Sequence, residues 1–248
     1  MATEGSCSLE FFPPKTIAGR EKLLNETLPA LADHHANVPV GDGAFVALMV
    51  QAKDPDAYIA MLKKNPAPFQ AVGSAVAGAC VTKTGHDYPG QMFIYNGFDS
   101  VEDAMAATDK YDAMKATPEL MAIREVQYNV MFKPLKQFTL APGFERLWRL
   151  KISNENLQPY VNKIAELETA LRAAGHTINV GVFQPIGGGV HEAIHLRAVS
   201  PSPAASGRVL DEAYADAPWM RIWAEASALV DDVLSDNFEQ CELLYTAD

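Results

Sequence analysis

The chain has 248 residues, 48% of them hydrophobic and 21% charged, with a formal net charge of −11. That length and composition suit a folded body with a sizeable core and exclude a disordered chain. The acidic balance argues against a nucleic-acid or anionic-membrane surface, and no run of about 18 apolar residues is present to span a bilayer.

The opening stretch from Met1 to Ser6 has neither the basic nor the apolar region of a secretory signal. Cys7, Cys80 and Cys241 are odd in number and far apart, without a C-x-x-C pair. They predict a reducing, cytoplasmic setting, with neither a disulfide framework nor a zinc site. Cys80 and Cys241 fall in strand-like runs and read as small hydrophobes. The sequence gives no reason to expect a bound metal or cofactor.

Residues 1–42 read as a strand-and-helix arm. Ser8-Leu-Glu-Phe-Phe-Pro-Pro-Lys-Thr16 resembles the opening strand of methylenetetrahydrofolate reductases. The resemblance implies that Glu10 matches the catalytic acid of that family and residues 17–32 its first helix. It stops there, because the eightfold strand–helix alternation of such a barrel does not follow. Three roles stay open for the arm: packing on the rest of the chain, contacting a partner protein, or folate-reductase chemistry.

From residue 43 onward one order of elements occurs twice. Over 43–138 it runs as a strand from Ala44, a helix after Asp54-Pro55, strands at 74–83 and 91–97, a helix capped near Asp99-Ser100, a helical turn after Thr117, and a strand at 125–132. Over 144–248 it runs as a strand at 144–152, a helix closing at Gly175, strands at 176–184 and 190–199, helices after Pro203 and Pro218, and a last strand at 238–246. The stripe Val161, Ile164, Leu167, Leu171 marks the long helix as one that covers a sheet.

Each copy is a βαββαβ, ferredoxin-like unit, which leaves one sheet face bare. The fold class expected is α+β, with two such repeats packed sheet to sheet. In element order the chain resembles the dimeric α+β-barrel superfamily, with both halves on one chain. That resemblance implies an interior site and a class including monooxygenases acting on activated phenols, dehydratases, isomerases and haem-degrading enzymes. No histidine sits where axial haem ligation is expected.

Strand alternation assigns faces. In the second unit it points Arg149, Lys151, His191, His195 and Arg197 inward, a positive cavity suited to a carboxylate, phosphate or enolate-like ligand. In the first unit it groups Val126, Tyr128, Val130 and Phe132 under the helices. Gln127, Asn129 and Met131 are left for the interior, beside Gln91, Phe93, Tyr95, Phe45, Ala47 and Met49. His191 and His195 stand about 13 Å apart on a strand, too far to share a metal. Gly187-Gly188-Gly189 lies between strands and reads as a hairpin turn. Trp219 and Trp223 read as core or interface anchors.

The reading that follows is a small-molecule-binding protein for an anionic or aromatic acid, with the character of a cofactor-independent enzyme as a further option. His195 or His191 is then the proton carrier. Arg197, Arg149, Lys151, Gln127, Asn129 and Tyr95 are the ligand contacts. The alternatives are a non-catalytic stress or assembly protein that binds a partner through its arm, and folate-reductase chemistry. A homodimer of the fused pair is compatible with either of the first two. No Gly-x-Ser-x-Gly, H-E-x-x-H or Walker motif is present.

Overall fold

A computed structural model describes residues 41–247. Residues 1–40 of the arm, with Glu10 and Cys7, lie outside the described residues. Eight strands form a closed antiparallel barrel: β1 Ala44–Ala52, β2 Val76–Thr84, β3 Gln91–Phe98, β4 Arg124–Pro134, β5 Gly143–Lys151, β6 Asn179–Ile186, β7 Ile194–Ser200 and β8 Asp232–Thr246. Around the barrel the order is β1-β3-β2-β8-β5-β7-β6-β4. Strands β4-β1-β3-β2 are therefore contiguous, as are β8-β5-β7-β6. Where two facing sheets were expected, the edges meet: β2 pairs with β8, and β4 with β6. Closure satisfies backbone groups that an open edge would expose.

Seven helices among the described residues cover the outside: α1 Pro55–Lys64, α2 Ala67–Val72, α3 Val101–Ala107, α4 Pro118–Ile123, α5 Asn154–Ala173, α6 Pro203–Tyr214 and α7 Met220–Ser227. Their starts follow the local chemistry. Asp54, Ser100, Thr117 and Ser202 each accept a backbone N–H three residues on, and a proline opens α1, α4 and α6. Helix α5 buries Tyr160, Val161, Ile164, Leu167 and Leu171. It stops ahead of Gly175, whose φ of 95° only glycine adopts freely. Lys136 is buried beside α5, where its ammonium meets Glu168 at 2.6 Å and the Val180 carbonyl. Trp223 of α7 packs against Trp148 of β5 with ring centroids 5.5 Å apart and planes tilted by 40°, and Trp219 is buried at the start of that helix.

The strands sort their side chains cleanly. Outward-facing Leu48, Val50, Ala77, Ala79, Met92 and Ile94 pack with Tyr58, Ile59 and Phe69 of α1 and α2. Inward-facing Phe45, Ala47, Met49, Phe93, Tyr95, Phe132 and Phe183 fill the barrel. Phe45 stacks on Phe132 at 5.1 Å and meets Phe183 edge-on at 5.2 Å, a geometry that adds to their burial energy.

Two sequence expectations are corrected here. On β4, Met49 pairs with Tyr128 but Val50 pairs with Val126, so Gln127 is an extra residue in a bulge. Strict alternation therefore fails across it. Val126 faces the helices as expected, whereas Tyr128, Val130 and Phe132 point into the barrel. Gln127 and Asn129 are exposed, and Met131 packs beneath α3. The second correction concerns the cysteines. Cys80 and Cys241 are register partners across β2 and β8, with Cα atoms 4.0 Å apart, and they form a disulfide. The pair closes one seam of the barrel and removes the cysteine argument for a reducing compartment. No helix among the described residues is long and apolar enough to cross a membrane.

Gly78 is fixed by close approach. A Cβ there would fall on the phenol of Tyr95, its register partner on β3. Gly78→Ala should therefore cost about 1–3 kcal/mol in urea denaturation, the usual penalty of overpacking. Adding Tyr95→Leu should recover part of that loss, a coupling that a double-mutant cycle reads directly. Strictly additive losses would show that the two side chains do not compete for the space.

Candidate functional site

The ionisable interior is built by three neighbouring strands of the closed order. From β5 come Glu145, Leu147 and Arg149; from β7 come His195 and Arg197; from β8 come Ser235, Asn237 and Glu239. Register places Arg149 beside His195 and Glu145 beside Glu239. Each is delivered inward by the period of two that puts Trp148, Leu196 and Ile194 outside.

Their side chains form one connected string. The Arg197 guanidinium donates to Glu145 Oε1 at 2.5 Å and approaches His195 Nδ1 at 3.2 Å. His195 Nε2 lies 2.6 Å from Glu192 Oε2, and the Tyr128 hydroxyl donates to Glu192 Oε1 at 2.7 Å. A guanidinium has only donors, so Nδ1 must accept; the imidazole proton then sits on Nε2 and is donated to Glu192. Arg197 also lies over the face of Phe93, 4.6 Å from its centroid.

The electrostatics agree with that tautomer. Burial, with Arg197 and Arg149 close by, pulls His195 down to about 4 despite the opposing pull of Glu192. Burial alone would raise Glu192. The His195 hydrogen bond, the charges of His195 and Arg149 and the Tyr128 hydroxyl together hold it below the ordinary carboxylate value. Glu239 is pushed well up, first by burial and then by Glu145 opposite it. Its Oε1 accepts from the Thr82 hydroxyl at 3.1 Å. Glu145 and Glu239 face Arg197, and Glu192 faces Arg149. The positive cavity expected from the arginines and histidines is filled by carboxylates.

The expected site residues separate accordingly. His195, Arg197 and Arg149 come together. His195 has both ring nitrogens within hydrogen-bond distance of a partner. Tyr95 is interior but lines a second cavity, with Phe45, Phe93, Phe138, the disulfide, Glu145 and Arg197. Lys151 is at the rim, 63% exposed and 4.0 Å from Asp232. His191 is not in β7, because the backbone forms a 3-10 turn at Gly189–His191 and the strand starts only at Ile194. Gln127 and Asn129 face solvent outside the barrel.

Sequence reasoning missed Glu145, Glu192, Glu239, Ser235 and Asn237. Glu145 had a usable signal, since it shares the parity of Leu147 and Arg149 on β5. Glu192 had none. It comes from the turn after the three glycines, where Gly187 and Gly189 have φ of 71° and 61°. Its carboxylate is 1% exposed while Val190, two residues away, is 95% exposed.

The cavity at this mouth is lined by Met49, Gln91, Tyr128, Arg149, Glu192, His195 and Asn237, among others. Arg149 Nε, Arg197 Nε and Ser235 Oγ, all from residues lining it, are buried without a hydrogen-bond partner. Arg149 Nε stops 3.6 Å from Glu192 Oε2, an ion pair short of a hydrogen bond. A more open groove runs past Met114, Met121 and Arg124. The Arg124 terminal nitrogens there already bind Tyr58 and Tyr111. Convergent polar groups with unmet bonding capacity favour the barrel interior.

The depressed His195 fixes the sign of a pH effect. Its ordinary pKa is 6.5 and its folded one about 4, so between those values the unfolded chain binds a proton that the folded chain refuses. Stability is lost as pH falls through that window, and Glu192 adds loss in the same direction. Glu239 opposes them, because its raised pKa adds stability at low pH that fades as pH rises. Comparing urea unfolding at pH 7 and pH 5, His195→Gln should show about 2 kcal/mol less acid destabilisation than wild type. Equal acid sensitivity in both proteins would contradict a neutral buried His195.

No family model matches the chain, and no curated protein matches it. Solved structures do. An anthrone oxidase-like protein aligns with a TM-score of 0.55 at 11% identity, over 85% of this chain and 100% of its own. A monooxygenase, so described provisionally, from Lactobacillus acidophilus NCFM gives 0.56 at 11%, over 82% and 95%. A chlorite dismutase variant from Candidatus Nitrospira defluvii gives 0.52 at 10%, over 91% and 95%. At such identities the likeness is one of fold: the chain has the dimeric α+β-barrel fold of these proteins. Nothing in these matches supports the reductase resemblance of residues 8–16.

Proposed function

We propose that the protein binds a small carboxylate-bearing molecule at the barrel mouth, in the position now taken by the Glu192 carboxylate. The observation that carries this is the reception of that carboxylate. Tyr128 from β4 and His195 from β7 hydrogen-bond its two oxygens, while Arg149 from β5 waits at 3.6 Å with an unpartnered Nε. Three strands thus converge a hydroxyl, an imidazole N–H and a guanidinium on one anion, a donor set suited to a carboxylate. The anion comes from a glycine-rich turn rather than from the barrel wall. An external carboxylate that replaces it keeps the interior charge balanced. Arg197 fixes the His195 tautomer, and Tyr95 and Phe93 supply the aromatic floor beyond.

The monooxygenase and oxidase-like neighbours are compatible with small-molecule binding inside such barrels. The chemistry at this mouth favours binding over proton transfer, because no imidazole nitrogen is free to take a proton. We also infer that residues 43–138 and 144–248 derive from one βαββαβ unit used twice. The order fourth-first-third-second in β4-β1-β3-β2 and again in β8-β5-β7-β6 supports that descent.

Chemical rescue tests the site. Glu192→Ala should cost about 2–4 kcal/mol, because it strands buried donors. Formate or acetate should restore part of its melting temperature, whereas chloride at equal ionic strength should not. The rescue should disappear in Glu192→Ala combined with Arg149→Met. On the wild type, benzoate should raise the melting temperature and benzyl alcohol should not. If formate and acetate act no better than chloride on Glu192→Ala, the mouth is not a carboxylate site.

A further inference from the structure

The second cavity holds chemistry that the carboxylate site does not use. Cys80 on β2 and Cys241 on β8 both point into the barrel and are 2% exposed. Their sulfur atoms and a Glu145 carboxylate oxygen all lie within 4.8 Å of one another. Glu145 also accepts a hydrogen bond from Arg197. Mostly apolar side chains complete the walls, and the half-exposed Phe138, Leu140 and Ala141 form one side.

With the sulfurs joined, this is a covalent staple across the β2–β8 seam. With them reduced, two thiols and a carboxylate face one point. Sulfur and oxygen donors in that proportion match the preferences of zinc, whose sites take Cys and Asp or Glu ligands at four-coordinate centres.

We propose that Cys80, Cys241 and Glu145 form a redox-gated zinc site, closed while the disulfide stands and opened when a dithiol or phosphine reduces it. A dithiol passes two electrons and two protons to the protein sulfurs and itself becomes a disulfide. A phosphine does the same with one water and leaves as the phosphine oxide. On binding Zn2+, the two thiols release their protons and ligate as thiolates, with Glu145 as third ligand. Two thiolates and Glu145 against the metal leave one negative charge, which Arg197 balances. The barrel seam is thereby held by a metal in place of a covalent bond. This site shares Arg197 and its partner Glu145 with the string behind the carboxylate mouth. Its test reads the two thiolates and the mouth's test reads an anion at Glu192, so either assignment can fail without the other.

The test uses the full chain carrying Cys7→Ser, so that only the barrel cysteines report. The folded protein is treated with the phosphine TCEP, and free thiols are counted before and after. One equivalent of Co2+ added to the reduced protein should produce intense thiolate-to-cobalt absorption in the near ultraviolet. Zn2+ should bleach that absorption at one equivalent. The oxidised protein and Cys80→Ser should show none, and Glu145→Gln should weaken zinc binding at least tenfold against a chromophoric chelator. A thiol count that does not rise while the protein stays folded would overturn the proposal. So would reduced protein without thiolate–cobalt absorption, or zinc binding equal in reduced and oxidised forms. Because the cobalt spectrum reads the thiolates in the unsubstituted pair, the result does not depend on Cys80→Ser folding.

Discussion

A guanidinium keeps its proton even inside a protein, and Arg197 is 5% exposed within a barrel otherwise filled by aromatic rings. Leaving such a charge unpaired costs several kcal/mol, so its neighbours are constrained. Glu145 must supply the countercharge from β5. Phe93 must offer a ring face, and His195 must present a lone pair rather than a proton. That last requirement propagates outward. It sets the imidazole proton on Nε2, directs it at Glu192, and brings Glu192 into reach of Tyr128 and Arg149. The chemistry of the mouth is thus decided one hydrogen bond deeper, at an arginine that does not touch the mouth carboxylate.

The barrel makes this arrangement affordable. Closure at β2–β8 and β4–β6 removes every strand edge and brings the inward faces of all eight strands around one axis. The aromatic residues of β1, β3, β4 and β6 then fill most of the interior, and the polar string runs along β5, β7 and β8. Low local polarity strengthens each hydrogen bond in the string and penalises any break in it. The disulfide at one seam and the Lys136–Glu168 pair beside α5 hold the framework on which the string is strung.

Much of the fold was legible in the sequence because it rests on local signals. Caps at Asp54, Ser100, Thr117 and Ser202, the α5 stripe and the glycine after it mark helices wherever they occur. Period-two alternation placed Phe45, Ala47 and Met49, as well as His195 and Arg197, on the inside. On β4, alternation failed at one inserted residue, Gln127. A bulge leaves no mark in the pattern, yet it reverses every side chain beyond it on β4, so two amides were assigned to the interior and Tyr128 to the outside. The site was less legible for a different reason. Its carboxylates are decided by pairing across strands distant in sequence: Glu145 with Glu239, Glu192 with Tyr128, and Cys80 with Cys241 at a separation of 161 residues. Reading only the basic residues of β5 and β7 produced a positive cavity; the register supplied the acids that neutralise it. β8 begins six residues before the stretch its pattern suggested, and Ser235 and Asn237 lie in that unmarked part.

The chemistry of the mouth depends on the protonation of one imidazole, which nitrogen NMR reads directly. In protein labelled with nitrogen-15 at histidine, His195 at pH 7 should show a protonated Nε2 and an unprotonated Nδ1, with the signals unchanged down to about pH 5. A doubly protonated ring at pH 7, or a proton on Nδ1, would mean that Arg197 does not set the tautomer, and the chain of constraints from Arg197 to Glu192 would not hold.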